Sequence, residues 1–503
     1  MKKIVLGDYV DSLEKRGLVE SCFIRRGDGE VPVEYLSHDS KDMKELGLFV
    51  CKGAHFKPEY LDEAIGKGAF CYMSEKEYPV RKDSFSHIIV NDIRKAMAIV
   101  ANMYYGEAWR ELDLIGITGT KGKSTVTYYV KSILDEYLES LDRGESAVLS
   151  GIDNYDGVIR EESHLTTPEA IVLHRHFRNA VNSNIPFLEM EVSSQALRYD
   201  RTLGVEFAVG CYLNISEDHI SPIEHVDFDD YFDAKLILFK QCRTACINLE
   251  ADHYQEVVDT ARDNFCRIIT YGLREEADVY GYRVVKKGDY TSFMVRTDTF
   301  EGEFQLGMTG LFNVENALAA ISICYALDIP RKFMISGLKK ALVPGRMELF
   351  KGEMGSPLII VDYAHNRLSF DKLFTSTIRE YPDKKIIAVY GCPGKKALAR
   401  RKELAEIAGR YSKKIYITEE DPGEEPVMDI CQEIALHVKA QNCPYEIEVD
   451  RGEAIRKAIE EGDGDTVILI TGKGRETRQK RGTDYIDCPS DVEYVERYLK
   501  SDK

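Results

Sequence analysis

A glycine-rich loop between an apolar strand and an amphipathic helix constrains the fold of this chain more than any other feature. The strand is predicted at residues 112–117, and the loop runs over residues 118–124. Beyond the loop, apolar residues recur at helical spacing. These residues are Val126, Val130, Ile133, Leu134 and Tyr137. A strand, a tight turn and a helix in this order predict an α/β fold with a parallel sheet covered on both faces.

The same loop has the composition of a phosphate-binding loop. Its glycines allow backbone N–H groups to face phosphate oxygens at a helix N-terminus. Lys123 is placed to neutralise β- and γ-phosphates, and the hydroxyl of Ser124 to ligate Mg²⁺. The general pattern has a further glycine where this chain has Ile117. The alternative is therefore a plain glycine turn. The predicted nucleotide-binding residues are Gly119, Thr120, Lys121, Gly122, Lys123, Ser124 and Thr125.

With 503 residues, the chain is too long for a single core. Predicted strands alternate with predicted helices, and the pattern of apolar and polar residues changes near residues 111 and 344. We therefore predict three domains, at 1–110, 111–343 and 344–503. Helical spacing is also present over residues 61–69. Residues 278–308 alternate with period two around Gly288-Asp289, which predicts a β-hairpin.

Composition excludes several classes of protein. The formal net charge is -18, which disfavours a broad nucleic-acid-binding surface. No apolar run is long enough for a membrane span, and the N-terminal apolar stretch is too short for a signal peptide. The twelve cysteines contain no C-x-x-C pair, which argues against a zinc cluster and a disulfide framework. We expect a cytoplasmic protein.

Polar residues follow two more predicted strands. Glu191 lies at the end of the strand predicted at 187–192, well placed to reach the metal of a nucleotide. His219 lies in the segment 214–219, after the strand predicted at 207–213. Lys235 lies in an apolar helical stretch, 231–239. The alternatives are a solvated glutamate, an exposed histidine and a lysine whose amine extends to solvent.

Together with these elements, ordered motifs across the chain resemble the Mur ligase family, the ADP-forming amide ligases of peptidoglycan precursor synthesis. Asn214–His219 is similar to the N-x-x-x-D-H element of the family. The other matching segments are Thr118–Ser124, Gly310–Ala320, Pro344–Glu348, Asp362–His365 and Gly472–Gly474.

Within the family, the chain is most similar to the subgroup that adds the third amino acid of the muramoyl peptide. The segment 39–41 followed by 47–50 resembles the nucleotide-sugar element of that subgroup, and 166–169 resembles its T-T-P stretch. Residues 191–194 match E-V-S-S, although Gln195 replaces the usual histidine. The resemblance implies that the UDP-muramoyl peptide is bound by Ser40, Thr166, Thr167, Ser193 and Arg201.

The resemblance also implies the domain roles and the chemistry. A UDP-sugar-binding domain, a central P-loop ATPase domain and a Rossmann-like C-terminal domain are expected. ATP phosphorylates the terminal carboxylate of the peptide, and an amine attacks the acyl phosphate. Lys123, Glu191, His219 and a carbamylated Lys235 are the implied catalytic residues. Ser124, Glu191, His219 and Lys235 are the implied Mg²⁺ ligands. Further ATP contacts are implied for Asn313, Asn316, Arg346 and Asp362.

The added amino acid is indicated by one loop. Subgroup members that add meso-diaminopimelate carry D-N-P-R, whose arginine pairs with the distal carboxylate, whereas this chain has Gly423 at that arginine position. The acidic segment 419–425 favours an ammonium instead, as in L-lysine or L-ornithine. The alternatives are a solvated loop surface, or a guanidinium supplied by Arg367 or Arg475. The implied amino-acid-binding residues are Asp421, Glu425, Gly472 and Glu476.

Other functions are weighed against this one. A folylpolyglutamate-type ligase is disfavoured by the elements at Asp39 and Thr166. A member that works with an amidotransferase is disfavoured by the lack of C-x-x-C pairs. A paralogous ligase with another acceptor or amino acid, including meso-diaminopimelate, stays open, as does an inactive nucleotide-binding scaffold. The expected partners are a UDP-linked muramoyl peptide and a free amino acid, without nucleic acid or membrane insertion, and the expected state is a monomer.

Overall fold

The computed structural model describes residues 3–53, 56–80, 85–163, 165–216, 225–287, 290–308, 313–353, 355–396 and 398–500. The chain divides into two compact units. The first comprises Met1–Tyr280 and Ala319–Met334, and the second comprises Gly281–Leu318 and Ile335–Lys503.

The helices within the described residues are α1 (Leu6–Glu14), α2 (Pro58–Gly66), α3 (Ile93–Tyr104), α4 (Lys123–Glu139), α5 (Ala170–Asn182), α6 (Ser194–Arg198), α7 (Phe228–Leu236), α8 (Tyr254–Asp263), α9 (Asn313–Ala326), α10 (Arg331–Lys340), α11 (Arg367–Glu380), α12 (Ala399–Tyr411), α13 (Val427–Ala440), α14 (Arg451–Glu461) and α15 (Asp491–Lys500).

The strands are β1 (Val19–Phe23), β2 (Tyr35–Ser37), β3 (Gly47–Val50), β4 (Ala69–Ser74), β5 (Ser86–Val90), β6 (Asp113–Thr118), β7 (Ala147–Leu149), β8 (Asp153–Tyr155), β9 (Arg160–Glu162), β10 (Phe187–Glu191), β11 (Phe207–Tyr212), β12 (Cys242–Asn248), β13 (Arg267–Gly272), β14 (Val279–Lys287), β15 (Tyr290–Arg296), β16 (Glu301–Leu306), β17 (Glu348–Lys351), β18 (Leu358–Asp362), β19 (Lys385–Tyr390), β20 (Lys414–Ile417), β21 (Tyr445–Ile447), β22 (Thr466–Thr471), β23 (Arg478–Arg481) and β24 (Asp484–Asp487).

The first unit begins with a five-stranded sheet in the order β1-β5-β4-β3-β2. Only β1 runs antiparallel to its neighbour, and the other pairs are parallel. The strands are short apolar runs, and β3 is buried along its whole length. Leu6, Tyr9 and Leu13 of α1 belong to the core on one face of this sheet. Burial of such side chains is the main stabilising contribution, each worth about 1.5–3 kcal/mol.

The predicted helix over residues 61–69 is wrong at its C-terminal end. Helix α2 ends at Gly66, and Ala69 already belongs to β4. Gly68 makes the turn with φ of +113°, and a Cβ there would lie 2.6 Å from the Cα of Glu45. Only glycine fits this position, so the helix ends where the chain must turn into the sheet.

The phosphate-loop candidate lies in the second sheet of the first unit. Strand β6 is central there and pairs in parallel with β10 on one side and β11 on the other. Strand β11 is followed outward by β12 and β13, and β10 by β7, β8 and β9. Because β6, β10 and β11 are parallel neighbours, their carboxyl ends meet at one edge. Open α/β sheets bind ligands at this edge.

The second unit contains a six-stranded sheet in the order β17-β18-β22-β19-β20-β21. Strand β17 is antiparallel to β18, and the remaining neighbours are parallel. Side chains of β18, β19 and β22 pack against Val492 and Val495 of α15. Strands β23 and β24 form a separate antiparallel pair.

The α/β fold class predicted from the sequence is confirmed. The residue bounds of the three predicted domains stay a prediction. The predicted hairpin is represented by β14 and β15, which are neighbours in their sheet. Its turn at Gly288-Asp289 lies outside the described residues. Among the described helices, none combines the length and the apolar character that a membrane span requires. All twelve cysteines are free thiols.

Candidate active site

The loop after β6 has the backbone that a phosphate cradle requires. Gly122 adopts a left-handed conformation with φ of +86° immediately before α4. A Cβ at Gly119 would lie 2.9 Å from the Cβ of Leu213, so a larger residue would displace the loop. Ser124 and Thr125 are buried in the first turn of α4. Gly122 offers no side-chain cap, and α4 therefore directs its first N–H groups toward the loop.

The segment after β11 holds this loop in place. The backbone N–H of Thr120 donates to the carbonyl of Asn214 at 3.1 Å. The Asn214 side chain accepts from the N–H of Lys121 at 2.9 Å and donates to the carbonyl of Lys121 at 3.1 Å. The hydroxyls of Thr120 and Tyr231 are 2.9 Å apart. Asn214, the first residue of the N-x-x-x-D-H element, thus braces the loop directly.

Two lysines converge on one carbonyl of the loop. Nζ of Lys123 donates to the Gly119 carbonyl at 2.9 Å, and Nζ of Lys235 donates to the same oxygen at 3.1 Å. Lys235 is only 2% exposed, and its amine lies 4.5 Å from the ring centroid of Tyr231. The alternative of a lysine extended to solvent is therefore wrong for Lys235.

Glu191 is buried at the end of β10 rather than solvated. It pairs with Ile117 in the sheet and is 3% exposed. Its Oε1 accepts the backbone N–H of Gly151 at 2.8 Å, while its Oε2 accepts no hydrogen bond from the described residues. A buried carboxylate with one oxygen left over is a suitable ligand for a hard cation.

Three of the residues implied to bind the muramoyl peptide, Thr167, Ser193 and Arg201, form a connected network next to Glu191. The Thr167 hydroxyl donates to the Glu191 carbonyl at 2.9 Å and accepts from the Ser193 N–H at 3.0 Å. Arg201 donates to the Thr167 carbonyl at 2.8 Å and to Glu169 at 2.7 Å. Burial alone would raise the pKa of Glu169, but Arg201 and Lys52 hold that pKa below its usual value.

Most of the residues described above line one cavity of about 230 Å³. The predicted residues that line it are Lys123, Thr166, Thr167, Ser193, Arg201 and Lys235. Leu165, Ser194, Gln195, His225 and Tyr231 also line it. Sequence reasoning assigned no role to these five residues.

Three of the predicted residues stand apart from this cavity. The Ser40 hydroxyl donates to Glu63 on α2 at 2.6 Å. Ser124 and Glu191 are not among the lining residues; Ser124 lies in the first turn of α4, and Glu191 lies at the end of β10. His219 lies outside the described residues. Within the described ranges, no three His, Cys, Asp or Glu side chains are grouped to hold a metal ion.

The implied nucleotide contacts of the second unit lie in two places. The Asn316 side chain donates to that of Asn313 at 3.0 Å in the first turn of α9. Asp362 accepts the backbone N–H groups of Met347 and Ala364, and Arg346 stacks on the ring of Tyr363 at 4.4 Å. Burial raises the pKa of Asp362, and the charge of Arg346 opposes this shift.

The second unit contains its own cavity of about 460 Å³. Asp421, Gly472 and Glu476 line it, as predicted, and Glu420 lines it as well. Glu425 does not, because it forms a bidentate ion pair with the buried Arg401 at 2.7 and 2.9 Å. The cationic residues that line the cavity are Lys395, Lys396, Arg400 and Lys480.

The acidic loop is less negative than its sequence suggests, because most of its carboxylates have cationic partners. Asp421 pairs with Lys473 at 3.0 Å, and Glu424 pairs with Lys395 at 2.8 Å. Glu419 pairs with Arg481. Neither Arg367 nor Arg475 is among the described residues that line the cavity, and Arg475 pairs with Glu348 at 2.6 Å.

Glu420 is the exception in this loop. It is 8% exposed and forms no ion pair within the described part of the chain. Burial raises its pKa to about 7, although Arg451 opposes the shift. The alternative of a solvated loop surface is therefore wrong for this residue.

The raised pKa of Glu420 predicts a pH dependence of stability. Between pH 4.5 and 7 the folded state holds a proton that the unfolded chain has lost, so stability falls as pH rises through this range. Glu420→Gln should remove this fall, which amounts to about 3 kcal/mol at most. Urea unfolding at pH 5 and pH 8 measures it, with exposed Glu496→Gln as control. Equal pH dependence in wild type and Glu420→Gln would contradict the prediction.

Comparisons with known proteins agree with this geometry. The Mur ligase middle domain matches residues 117–324, and the Mur ligase glutamate ligase domain matches residues 345–474. A UDP-N-acetylmuramyl-tripeptide synthetase of Lactobacillus delbrueckii subsp. bulgaricus is 37% identical over 90% of each chain. A UDP-N-acetylmuramoyl-L-alanyl-D-glutamate–L-lysine ligase of Enterococcus faecalis is 36% identical over 93% of this chain and 94% of its own.

Solved structures share the fold. The structure of a UDP-N-acetylmuramoyl-L-alanyl-D-glutamate–2,6-diaminopimelate ligase superposes with a TM-score of 0.68, covering 99% of both chains at 22% identity. A sequence identity of 22% supports a shared fold and no more. The domain matches and the relatives above 35% identity carry the assignment further, and they show that this chain belongs to the Mur ligase family.

Proposed function

We propose that this protein is an ATP-dependent, ADP-forming ligase that adds L-lysine to UDP-N-acetylmuramoyl-L-alanyl-D-glutamate. One observation carries the proposal: Lys123 of the phosphate loop, Lys235 and the muramoyl-peptide candidates Thr166, Thr167 and Arg201 line a single cavity. Such a cavity can hold the γ-phosphate of ATP next to a peptide carboxylate. This is the arrangement that acyl-phosphate formation requires.

The chemistry of the first step is the approach of two anions. The carboxylate oxygen attacks the γ-phosphorus, and ADP leaves with the electron pair of the broken P–O bond. Lys123 lowers the repulsion by placing its ammonium at the phosphates. Arg201, held by Thr167 and Glu169, orients the muramoyl peptide. Arg346 and Asp362 are proposed as further ATP-binding residues.

Mg²⁺ fits the residues of this site. Glu191 is a buried carboxylate that binds Gly151 through Oε1, and Ser124 presents a hydroxyl in the first turn of α4. We propose Ser124, Glu191, His219 and carbamylated Lys235 as the residues that hold it. When bound, Mg²⁺ supplies positive charge that neutralises the transferring phosphoryl group.

Lys235 suits carbamylation because its amine is buried beside the loop. The neutral amine adds to CO₂ and loses a proton, which turns a potential cation into an anion. This change makes the position compatible with a metal ion. An unmodified ammonium at 3.1 Å from the Gly119 carbonyl would instead compete with the metal for this part of the site.

The second cavity is proposed to bind the incoming amino acid. Its walls carry both carboxylates and cations, which suits a zwitterion with an additional charged group. Gly423 lines it where a guanidinium would be needed for a second carboxylate. Asp421, Gly472 and Glu476 are the proposed contacts, whereas Glu425 acts by holding Arg401 and the loop. The Enterococcus faecalis relative, named as an L-lysine ligase, supports the same choice.

The expected result is at least tenfold faster ligation of L-lysine than of meso-diaminopimelate, because a second carboxylate lacks a paired cation. ADP release is measured with purified protein, ATP, Mg²⁺ and UDP-muramoyl dipeptide, adding L-lysine, L-ornithine or meso-diaminopimelate. Tenfold preference for meso-diaminopimelate would contradict the amino-acid assignment but not the ligase reaction. Release of ADP only with another acceptor would identify a specialised paralogue, and no release would leave a nucleotide-binding scaffold.

We also propose the cellular compartment and the assembly state of the enzyme. Free cysteines fit a reducing compartment, so we place the enzyme in the cytoplasm. We expect it to act as a monomer with the two small-molecule substrates as its partners. Domain boundaries near residues 110 and 343 would give each substrate its own domain.

A further inference from the structure

A serine, a histidine and an aspartate form a hydrogen-bonded chain on the wall of the phosphate-loop cavity. Nε2 of His225 lies 3.0 Å from Oγ of Ser194, and Nδ1 of His225 lies 3.0 Å from Oδ2 of Asp230. Ser194 and His225 are 5% and 1% exposed, and both line the cavity that contains Lys123 and Lys235. The mechanism derived above uses none of these three residues.

The hydrogen-bond partners fix the direction of the chain. A carboxylate only accepts, so Nδ1 of His225 carries the ring hydrogen and donates it to Asp230. In the neutral ring Nε2 is then an acceptor, and the hydroxyl of Ser194 must donate to it. With its hydrogen directed at His225, Ser194 presents the lone pairs of Oγ to the cavity.

The charges around His225 keep the ring ready to accept a proton. Burial lowers the pKa of His225, and Asp230 opposes this shift. Arg198 and Lys235 contribute in the same direction as burial. Arg198 also pairs with Asp230 at 2.7 Å, which holds the carboxylate in place. The ring is therefore neutral at pH 7, and Asp230 is positioned to stabilise it once protonated.

We propose that Ser194, backed by His225 and Asp230, takes up the proton that the incoming amino group loses when it attacks the acyl phosphate. This inference rests on the proposed ligase function. The new C–N bond forms, the C–O bond to phosphate breaks, and phosphate leaves with the electron pair. The nitrogen proton passes to Oγ of Ser194 as the hydroxyl proton passes to Nε2 of His225. The imidazolium pairs with Asp230 and later returns its proton to solvent.

The relay acts in amide formation and not in acyl-phosphate formation, so the two half-reactions are measured separately. Acyl-phosphate formation is measured by borohydride reduction of the intermediate with ATP, Mg²⁺ and UDP-muramoyl dipeptide. Amide formation is measured after adding L-lysine. His225→Gln should keep acyl-phosphate formation within threefold of wild type and slow amide formation about 100-fold. Because the pKa of His225 lies below the usual histidine value, wild-type amide formation should decline only in the acid range where His225 becomes protonated, and the variant should lack this limb.

Ser194→Ala provides a second, smaller change with the same expected pattern, should His225→Gln fold poorly. His253→Gln, which alters a half-exposed histidine of the same unit, is the matched control and should keep both rates. A His225→Gln or Ser194→Ala protein that forms the amide at more than a third of the wild-type rate from pH 6 to 9 overturns the relay. So does a folded variant that also loses acyl-phosphate formation. Wild-type protein without acyl-phosphate formation contradicts the ligase function itself.

Discussion

Replacing Lys235 by alanine is expected to reduce ADP release about 10³-fold while the protein stays folded. Lys235 is buried beside the phosphate loop, with its amine 3.1 Å from the Gly119 carbonyl. The carbamate proposed there would supply an anion that holds a cation next to the transferring phosphoryl group. Its loss would remove charge stabilisation at a buried position, where such stabilisation is larger than in bulk water. Initial rates of ADP release with all substrates measure the effect.

A chemical rescue distinguishes the carbamate from a merely structural lysine. A short carboxylic acid such as acetate or formate can place an anion in the space left by Lys235→Ala, so part of the activity should return. Lys240→Ala is the matched control, since Lys240 is exposed just beyond α7, and it should remain within twofold of wild type. Full activity of Lys235→Ala without added acid would disprove the assignment.

Lys123→Ala is expected to reduce ATP-dependent ligation by 10²- to 10³-fold, because phosphate charge is left uncompensated in a partly dry cavity. Lys123 donates to the backbone carbonyls of Gly119 and Thr120 in its own loop, at 2.9 and 3.3 Å. Its removal should therefore change the unfolding free energy without nucleotide by less than about 1 kcal/mol.

Two measurements test the prediction for Lys123→Ala. Ligation rates at saturating ATP report the loss of charge neutralisation, and urea unfolding without ligand reports stability. The stabilisation that ATP with Mg²⁺ gives to wild type should also be smaller in Lys123→Ala, because weaker binding shifts the folding equilibrium less. Lys123→Ala protein could instead unfold at lower urea without ligand while each folded molecule still ligates at the wild-type rate. That result would show that Lys123 is a structural residue.

The parallel strands could be predicted because they are buried on both faces and read as continuous apolar runs. The strand predicted at 112–117 is observed at Asp113–Thr118, and that predicted at 207–213 at Phe207–Tyr212. The glycine turn between β6 and α4 could be predicted as well, since glycine and lysine spacing is local. Its bracing by Asn214 could not, because that contact joins positions 93 residues apart.

The acidic loop shows where local reading failed. Five carboxylates between Glu419 and Glu425 suggested an acidic loop that favours an ammonium. The fold brings Arg401, Lys473 and Arg481 to this loop from other segments and leaves Glu420 alone without an ion pair among the described residues. Charge partners distant in sequence decide the electrostatics of such a loop, and composition alone cannot show them.

The sequence by itself determined the fold class, the phosphate loop and the family resemblance, because strand periodicity, helix spacing and glycine turns depend on neighbouring residues. Tertiary structure alone decided which side chains share a cavity. Lys123, Lys235, Arg201 and His225 come from separate segments and meet because parallel strands place their carboxyl ends along one edge. Burial and distance then set the charge and the hydrogen-bond direction of each group, and these depend on packing that no single segment contains.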